Sequence, residues 1–293
     1  MGMFYLATLY ALVRSLEGDG RWRVLAVMCC TAGMVAKEIM VGAPVAVLAL
    51  DRALTGRSPL GVLRRQPWFY IGMAASWLLL LWGLWHRPHK DTIGFNYGVD
   101  SWTYLLNQAE TIVHYIGLFF WPHPLVLDYG APRILGLADV WWQSGLVAVL
   151  LLIAFWALWR RPLWGVAGLV FFSLLAPTSS FIPIVNEVAA ERRMYLPSAV
   201  LAALLVVGGY LLLNKYRCAD WRAAVGLAVI VAALGWTVVR RGEDYASAET
   251  IWRSAVAARP NNGRAHLNLG SALQDNGAVR EAIVHYRRAV ALE

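Results

Sequence analysis

The sequence predicts an all-α fold, in which a polytopic bundle of membrane helices is followed by pairs of short soluble helices. The chain has 293 residues, of which 59% are hydrophobic and 15% charged, and its mean hydropathy is +0.52. Soluble domains are closer to 45–50% apolar and about 25% charged, so this composition excludes an ordinary soluble enzyme. Several apolar runs approach the roughly 20 residues that cross a bilayer, and the last part of the chain carries a repeating residue pattern.

The positive charge of the chain indicates a lipid partner rather than a nucleic acid. The formal net charge is +8, but the basic residues lie in short loops between apolar runs. This placement follows the positive-inside rule for loops beside anionic headgroups, so we expect membrane lipids and no nucleic acid as partners. Cys29, Cys30 and Cys218 are too few for a disulfide framework. The sequence also has no metal-ligand spacing, phosphate loop or nucleophile elbow.

Five apolar runs are predicted to form membrane spans. Tryptophans recur at the ends of these runs, as expected for amphipathic rings at the level of the lipid headgroups. The predicted spans are Trp68–Trp85, Trp141–Trp159, Leu163–Leu175, Leu196–Leu213 and Trp221–Val239.

The first 50 residues contain two further apolar stretches that need a different interpretation. Gly2–Val13 is too short to cross unaided and lacks the flanks of a signal peptide, so we expect the end of a helix that begins upstream. Trp22–Leu50 carries Lys37 and Glu38 in its middle, where each charge in one long helix costs about 3 kcal/mol or more. Because arginines flank both ends, we predict a hairpin of two short helices with Lys37 and Glu38 at its extracytoplasmic turn.

The stretch Trp102–Trp121 leaves the topology open, because its first half is polar and its second half apolar. It is expected either to span or to lie in the outer interface as an amphipathic helix. If it does not cross, the cytoplasmic basic residues are Arg160, Arg161, Lys215, Arg217 and Arg222. If it crosses, they are Arg133, Arg192, Arg193, Arg240 and Arg241. The two sets are equal in number, so charge does not decide.

The composition becomes charged and Ala-rich after Arg241, and residue types repeat there after 34 positions. The matching positions are Ala248 with Ala282, Trp252 with Tyr286, and Ala255 with Ala289, and the position that would match Pro260 lies just past Glu293. A 34-residue period of small and aromatic residues is the pattern of tetratricopeptide (TPR) repeats, which need several stacked units to bury a core. We therefore predict an N-terminally incomplete transmembrane domain over 1–240 and a C-terminally incomplete TPR region over 241–293.

Three polar clusters within the apolar sequence supply the candidate site residues. The most informative cluster contains Arg192 and Arg193 at the start of an apolar helix, where cations oppose the helix macrodipole. A bound anion would resolve this conflict, because guanidinium groups match phosphate oxygens bidentately. Alternatively, the two arginines pair with Glu187 and Glu191 or extend to lipid headgroups. The other clusters contain Lys37 with Glu38, and His123 with Asp128, and both also suit a structural role in turns.

Four motifs precede the TPR pattern in a fixed order. They are Ala36-Lys37-Glu38 with Pro44, Trp121-Pro122-His123-Pro124-Leu125 with Asp128-Tyr129, Phe181-Ile182-Pro183, and Glu191-Arg192-Arg193-Met194-Tyr195-Leu196-Pro197-Ser198. In this order the chain resembles the C-terminal part of the membrane domain, with the first TPR units, of the transmembrane-and-TPR proteins. These belong to the GT-C glycosyltransferase superfamily and are related to protein O-mannosyltransferases.

The resemblance implies a transferase that uses a polyprenyl-phosphate-linked sugar on the extracytoplasmic side of the membrane. The TPR region is then expected on that side, with a protein or peptide acceptor bound to it, and Trp102–Trp121 is expected not to cross. The family's acceptor-activating acidic residues would precede Met1, so the catalytic residues are unassigned. Arg192, Arg193 and Lys37 are predicted to bind the donor phosphate, supported by Glu38, Glu191, Tyr195, His123 and Asp128. A divalent metal stays open, and the bacterial inner membrane is the expected location.

Two other functions agree with the same sequence. A membrane-anchored TPR scaffold without chemistry would use the repeats only to recruit partners for envelope assembly. A polysaccharide ligase or polymerase also joins a membrane domain to TPR repeats and would use lipid diphosphate donors. It usually has a large outer loop between late helices, whereas the longest gap in this sequence is partly apolar.

Overall fold

The computed structural model describes residues 1–86, 100–179, 183–184, 187–215 and 220–292, apart from the side chains of Leu84, Asp220, Arg222 and Ala223. Phe181, Ile182, Arg217, Cys218 and Glu293 lie outside the described residues. Every secondary structure element in these ranges is helical, as predicted. The helices are α1 (Gly2–Leu16), α2 (Arg21–Ala36), α3 (Ala43–Thr55), α4 (Pro59–Arg65), α5 (Pro67–His86), α6 (Ser101–Phe120), α7 (Trp141–Arg160), α8 (Pro162–Leu175), α9 (Tyr195–Lys215), α10 (Asp220–Asp244), α11 (Ala248–Ala258), α12 (Gly263–Asp275) and α13 (Val279–Leu292).

Three described helices are long and apolar enough to cross a membrane. They cover Trp141–Arg160 in α7, Glu191–Lys215 in α9 with the turn before it, and Ala224–Asp244 in α10. Only 6%, 11% and 0% of their most apolar stretches are buried within the protein. Exposed apolar surface of this extent fits a lipid environment, so the chain is an integral membrane protein. The three helices coincide with three of the predicted spans.

The other two predicted spans also form apolar helices. The apolar stretch Pro67–Gly83 belongs to α5, which has 20 residues in all, and Pro162–Leu175 in α8 is shorter than a full span. Glu38–Thr55 and Pro59–Arg65 reach the required length and hydropathy only together, with a bend of 99° between them. Ser101–Phe120 has 20 residues but is not among the candidate spans of the described chain.

One compact unit comprises Met1–Tyr97, Trp141–Pro183 and Arg193–Leu201. Within it, α1 packs against α2 and α3, α2 packs against α5, and α8 packs against α3 and α7. The close approach of α7 and α8 depends on a glycine, because a Cβ on Gly165 would lie 2.2 Å from the Leu158 nitrogen. Small residues at such positions are typical of membrane helix pairs.

The predicted interruption at Lys37 and Glu38 is present. Lys37 has an extended backbone that ends α2, and a 3-10 turn over Glu38–Gly42 leads into α3. The arrangement differs from a simple two-helix hairpin, because α1 lies against both helices and their other main partners are α5 and α8 respectively. The two short helices predicted on either side of Lys37 and Glu38 are thus present and packed among other helices, and the extracytoplasmic side of their turn stays a prediction.

The second unit comprises Gly98–Val140, Ile184–Arg192 and Ala202–Glu293. Its helices α11, α12 and α13 pack in sequence order, which is the arrangement expected for TPR helix pairs. Leu269, Leu273 and Ala282 form their buried core, and the ring of Tyr286 lies against Gly270. Polar side chains cap the N-termini of two of these helices. Ser247 caps α11 and Asn262 caps α12. The predicted boundary at residue 240 falls inside α10 and stays a prediction.

Candidate functional site

The polar side chains of α6 bind an irregular segment that follows this helix, residues 121–133. The Asn107 amide nitrogen donates to the Arg133 carbonyl at 2.7 Å, and the Asn107 oxygen accepts from the Arg133 N–H at 3.0 Å. The side-chain amide therefore replaces the backbone partners that a regular element would supply. Asn107 is buried, so its polarity serves an internal contact.

A second irregular segment, residues 187–191, is bound to the same helix. Gln108 donates from Nε2 to the Val188 carbonyl at 3.0 Å. The Tyr115 hydroxyl accepts from the Ala190 N–H at 2.6 Å and donates to the Ala190 carbonyl at 2.9 Å. Buried backbone groups outside regular structure require such partners. The polar residues of α6, which made its membrane topology ambiguous, thus hold both irregular segments in place.

Glu191 lies where these two segments meet. Its Oε1 accepts hydrogen bonds from the Val126 N–H and from the Tyr129 hydroxyl, the latter at 3.0 Å. The Tyr129 oxygen lies 3.2 Å from His114 Nε2. We call Glu191, Tyr129, His114 and Val126 the Glu191 cluster. It contains a continuous hydrogen-bonded path from an imidazole through a phenol to a carboxylate.

The electrostatics of the Glu191 cluster keep its tyrosine protonated. Burial, followed by the charge of Glu191, raises the pKa of Tyr129. Burial and the nearby charge of Arg259 lower the pKa of His114, which favours its neutral form. The Tyr129 hydroxyl therefore donates to Glu191 and accepts from the imidazole, so that both its proton and a lone pair are used.

Asp128 links residues 121–133 to the first turn of α12. The Arg264 guanidinium donates through Nη2 to Asp128 Oδ1 at 2.6 Å and through Nε to Oδ2. Asn262 donates from Nδ2 to the Asp128 carbonyl at 2.9 Å. We call these contacts of Asp128, Asn262 and Arg264 the Asp128 clasp. The Asp128 side chain is only 12% exposed, and a bidentate pair of this kind fixes both partners geometrically.

The two predicted phosphate-binding arginines lie in different surroundings. Arg192 is 71% exposed at its side chain and pairs through Nη2 with Glu187, at 2.7 and 2.8 Å from the two carboxylate oxygens. Arg193 is buried, and its Nη1 donates to the Thr178 carbonyl at 3.1 Å. Arg192 therefore has the carboxylate partner that the structural interpretation predicted, but the partner is Glu187 and not Glu191.

Lys37 and Glu38 are partly buried and do not pair with each other. Neither side chain forms an ion pair or hydrogen bond with the residues that the structure describes. Glu38 contributes to a cleft of about 230 Å³ between α2 and α5, together with Met34, Leu79 and Trp82. Among the described side chains, Lys37 is thus a cation without a carboxylate partner, although its predicted role is not tested by this geometry.

The remaining predicted site residues are exposed. Tyr195 is 80% exposed at the first turn of α9 and lies beside Gly2. His123 is exposed and precedes Pro124 through a cis peptide bond. In the described ranges, no group of three His, Cys, Asp or Glu side chains is arranged to hold a metal ion. The structure therefore joins Glu191 to the segment that carries Asp128 and His123, whereas Tyr195 belongs to the other compact unit.

Several residues of this site were not predicted from the sequence. Arg264 and Asn262 were absent from the candidates because their partner Asp128 is more than 130 residues away in the chain. His114 did lie among the polar residues that made Trp102–Trp121 unusual in the sequence, whereas no sequence signal pointed to Tyr115. The polar composition of this stretch was thus the local signal for part of the site.

The chain is similar to proteins named protein O-mannosyl-transferases. It is 28% identical to mouse (Mus musculus) TMTC1 over 206 residues, which are 64% of this chain and 22% of that protein. It is 28% identical to human TMTC1 over 234 residues, 72% of this chain and 26% of the relative. Mouse TMTC4 is 34% identical over 170 residues, 56% of this chain and 22% of that protein.

These relatives are much longer than the region of similarity. The chain spans about a quarter of the length of the curated relatives it matches. No family model matches the chain, and no solved structure matches it. The similarity to these proteins thus agrees with the family resemblance of the sequence motifs, but it covers only part of this chain and part of each relative.

Proposed function

We propose that this chain is part of a membrane glycosyltransferase that moves mannose from a polyprenyl-phosphate donor to a hydroxyl group of a protein acceptor. The observation that carries this proposal is the similarity to protein O-mannosyl-transferases, which extends over as much as 72% of the chain. The three apolar helices place the chain in a membrane, where a lipid-linked donor is soluble. In the reaction, the acceptor oxygen bonds to the sugar C1, the bond from C1 to the phosphate oxygen breaks, and the hydroxyl proton passes to a base.

The proposed donor site uses Arg192, Arg193 and Lys37. The arginines lie in a short 3-10 turn directly before α9, at the end of a candidate span, where a lipid phosphate would lie at the headgroup level. Negative charge develops on the departing phosphate in the transition state, and preplaced cations stabilise it. The Glu187 partner of Arg192 is exposed enough for the guanidinium to exchange it for a phosphate oxygen.

The acceptor is proposed to bind on the extracytoplasmic side, where we also place the TPR helices. Two features support this side. The helix α6 is not among the candidate spans of the described residues, which supports the topology in which Arg160, Arg161 and Lys215 are cytoplasmic. The Asp128 clasp joins the outer segment 121–133 to α12, which agrees with a common side for both.

The test is a transfer assay on the longer protein that contains this chain. With polyprenyl-phosphate mannose and a serine- or threonine-containing peptide, replacement of Arg192 and Arg193 by Ala should reduce transfer at least ~100-fold, the usual effect of losing a transition-state charge partner. The matched control replaces Arg64 and Arg65, an exposed pair at the end of α4, and should keep full activity.

Because Arg193 is buried, the single variant Arg192→Ala provides a second measurement in which folding is not at risk. It should lose activity without any change in membrane insertion, measured by resistance to alkaline extraction. Full transfer by correctly inserted Arg192→Ala and by the double variant would contradict the assigned donor site. Absence of any transfer by the unmodified protein with this donor would instead favour the scaffold function.

A further inference from the structure

A cavity of about 710 Å³ lies between residues 129–133 and the turn that joins α11 to α12. Its volume is in the range of ligand pockets, roughly 300–1,000 Å³, and far exceeds the space that a single ion needs. The residues that define its two walls are Tyr129, Arg133, Arg259, Asn261 and Arg264. None of these five belongs to the predicted donor site.

The charge of this cavity is set by three arginines, of which two are neutralised. Arg133 pairs with Glu110, and Arg264 pairs with Asp128. Arg259 lies over the ring of Tyr129 at 5.3 Å and has no ion pair with a carboxylate in the described part of the chain. The cavity therefore offers one cation that is oriented by an aromatic face and available to an incoming anion.

The walls of the cavity are held in position before any ligand arrives. The Asp128 clasp joins them. Gly130 forms the turn in the first wall, because its φ of +83° is one that residues with a side chain rarely adopt. A site that is already ordered loses less conformational entropy on binding, so a single available cation can contribute more to affinity.

The uncharged part of the lining suits a peptide better than a lipid. Asn261 is exposed, and its side-chain oxygen accepts from Arg288 at 3.2 Å, which leaves its NH₂ group to donate to a ligand carbonyl. Among the described lining residues, the larger apolar side chains are those of Tyr129, Pro260 and Leu292, and they offer too little apolar surface for an acyl chain.

We propose that this cavity binds an acidic segment of a polypeptide, with an Asp or Glu carboxylate on Arg259 and a main-chain carbonyl on Asn261. If the proposed function holds, that polypeptide is the acceptor protein, and the cavity selects acceptors with acidic residues near the modified hydroxyl. The binding itself does not depend on transfer, so a binding measurement tests the cavity separately from the enzyme activity.

The experiment measures binding of fluorescein-labelled peptides to the purified chain in detergent micelles by fluorescence anisotropy. The probes are a Ser/Glu peptide and a Ser/Gln peptide of equal length. The acidic peptide should bind at least fivefold more tightly, and 0.5 M NaCl should reduce the difference because the contact is ionic. Arg259→Gln should abolish the preference for the acidic peptide, whereas Arg280→Gln, an exposed arginine outside the cavity, should retain it.

A second variant keeps the test independent of any folding defect at Arg259. Ala131 is exposed on the cavity lining, and Ala131→Glu would offer Arg259 an internal carboxylate and repel the acidic peptide. The proposal is overturned if both peptides bind equally, or if Arg259→Gln and Ala131→Glu bind the acidic peptide like the unmodified chain. It is also overturned if Arg259→Gln leaves peptide binding intact but reduces binding to phosphatidylglycerol vesicles, since the ligand would then be a lipid headgroup.

Discussion

At the scale of single residues, burial separates the ion pairs that fix structure from those that can be exchanged. The Asp128 carboxylate is 12% exposed and accepts two hydrogen bonds from Arg264. Arg192, by contrast, is 71% exposed in its pair with Glu187, and exposed pairs contribute only about 0–1 kcal/mol. The first pair therefore belongs to the architecture of the site, and the second leaves its arginine available for the proposed donor.

The Asp128 pair can be measured with a double-mutant cycle of Asp128→Asn and Arg264→Gln. Because the Arg264 side chain is 39% exposed, we expect a coupling free energy of about 1 kcal/mol, at the low end for bidentate charged pairs. Hydrogen exchange of the first turn of α12 is the readout. The cycle of Arg253→Gln with Glu281→Gln, an exposed pair, should show weaker coupling. Strictly additive effects at Asp128 and Arg264 would contradict the clasp.

Two histidines in the TPR helices predict a pH-dependent stability. His266 and His285 stack with ring centroids 5.2 Å apart, and their Nδ1 atoms are 2.9 Å apart. Burial, followed by the neighbouring His266, lowers the pKa of His285 below its ordinary 6.5. The unfolded chain then binds the proton more tightly than the folded one, so stability is complete above pH 6.5 and decreases as the pH falls below it.

The measurement is the protection of α12 and α13 amides against hydrogen exchange, corrected for intrinsic rates, between pH 7.5 and 5.5. Protection should fall with pH in the unmodified chain and fall less in His285→Gln, which carries no titrating group at this position. Arg253 and Glu281 also face His285, so salt should change the size of the effect. Identical pH profiles for both proteins would show that the histidine pair is not responsible.

At the scale of elements, the contact between α7 and α8 depends on small residues. A Cβ on Gly165 would lie 2.2 Å from backbone of α7, whereas Gly145 has no neighbour within 4 Å. We expect Gly165→Ala to force the two helices apart and to destabilise the chain by about 1–3 kcal/mol, the usual effect of overpacking. The matched control Gly145→Ala, in the same helix pair, should be neutral or slightly stabilising.

The measurement for this helix pair is the thermal midpoint of aggregation in detergent, followed by size-exclusion chromatography. The midpoint should fall for Gly165→Ala and remain unchanged or rise for Gly145→Ala. A normal midpoint for Gly165→Ala would mean that α7 and α8 accommodate a methyl group at their closest point. The prediction is local, because Gly165 and its neighbours lie in one compact unit.

The same scale explains why some elements were predictable and α6 was not. The TPR helices follow from small and aromatic residues at helical spacing, since Ala255, Ala282 and Ala289 are all buried as the pattern requires. For α6 the pattern of polar and apolar residues left two membrane topologies open, because the buried face of this helix carries the amide side chains of Asn107 and Gln108. Asn107 and Gln108 bind backbone of distant segments, and no local pattern specifies such partners.

At the scale of the whole molecule, the proposed topology places the TPR helices outside the cytoplasm. It can be tested with a membrane-impermeant maleimide on intact cells. Ser271→Cys on α12 should be labelled, and Arg161→Cys, between α7 and α8, should be labelled only after the membrane is opened. Both positions are exposed. Both variants are made in a chain in which Cys29 and Cys218 are replaced by Ser, so that these thiols do not react with the maleimide. Cys30 is kept because it is buried.

The reversed result would have a direct structural meaning. Labelling of Arg161→Cys in intact cells, with protection of Ser271→Cys, would mean that Trp102–Trp121 crosses the membrane. The TPR helices would then be cytoplasmic, and transfer on the extracytoplasmic side would be contradicted. Such a result would leave the described contacts of α6 unchanged, because they lie within one unit.

The sequence by itself determined the helical class, three of the five predicted apolar spans, the break at Lys37 and Glu38, and the TPR helix pairs. Each of these depends on residue types at short spacing, where hydrophobic period and helix capping act within a few turns. Only the tertiary structure decided that Glu187 pairs with Arg192, that Glu191 binds Tyr129, and that Asp128 is held by Arg264. Polar side chains have several chemically equivalent partners along a chain, and packing alone selects which of them come within hydrogen-bond distance.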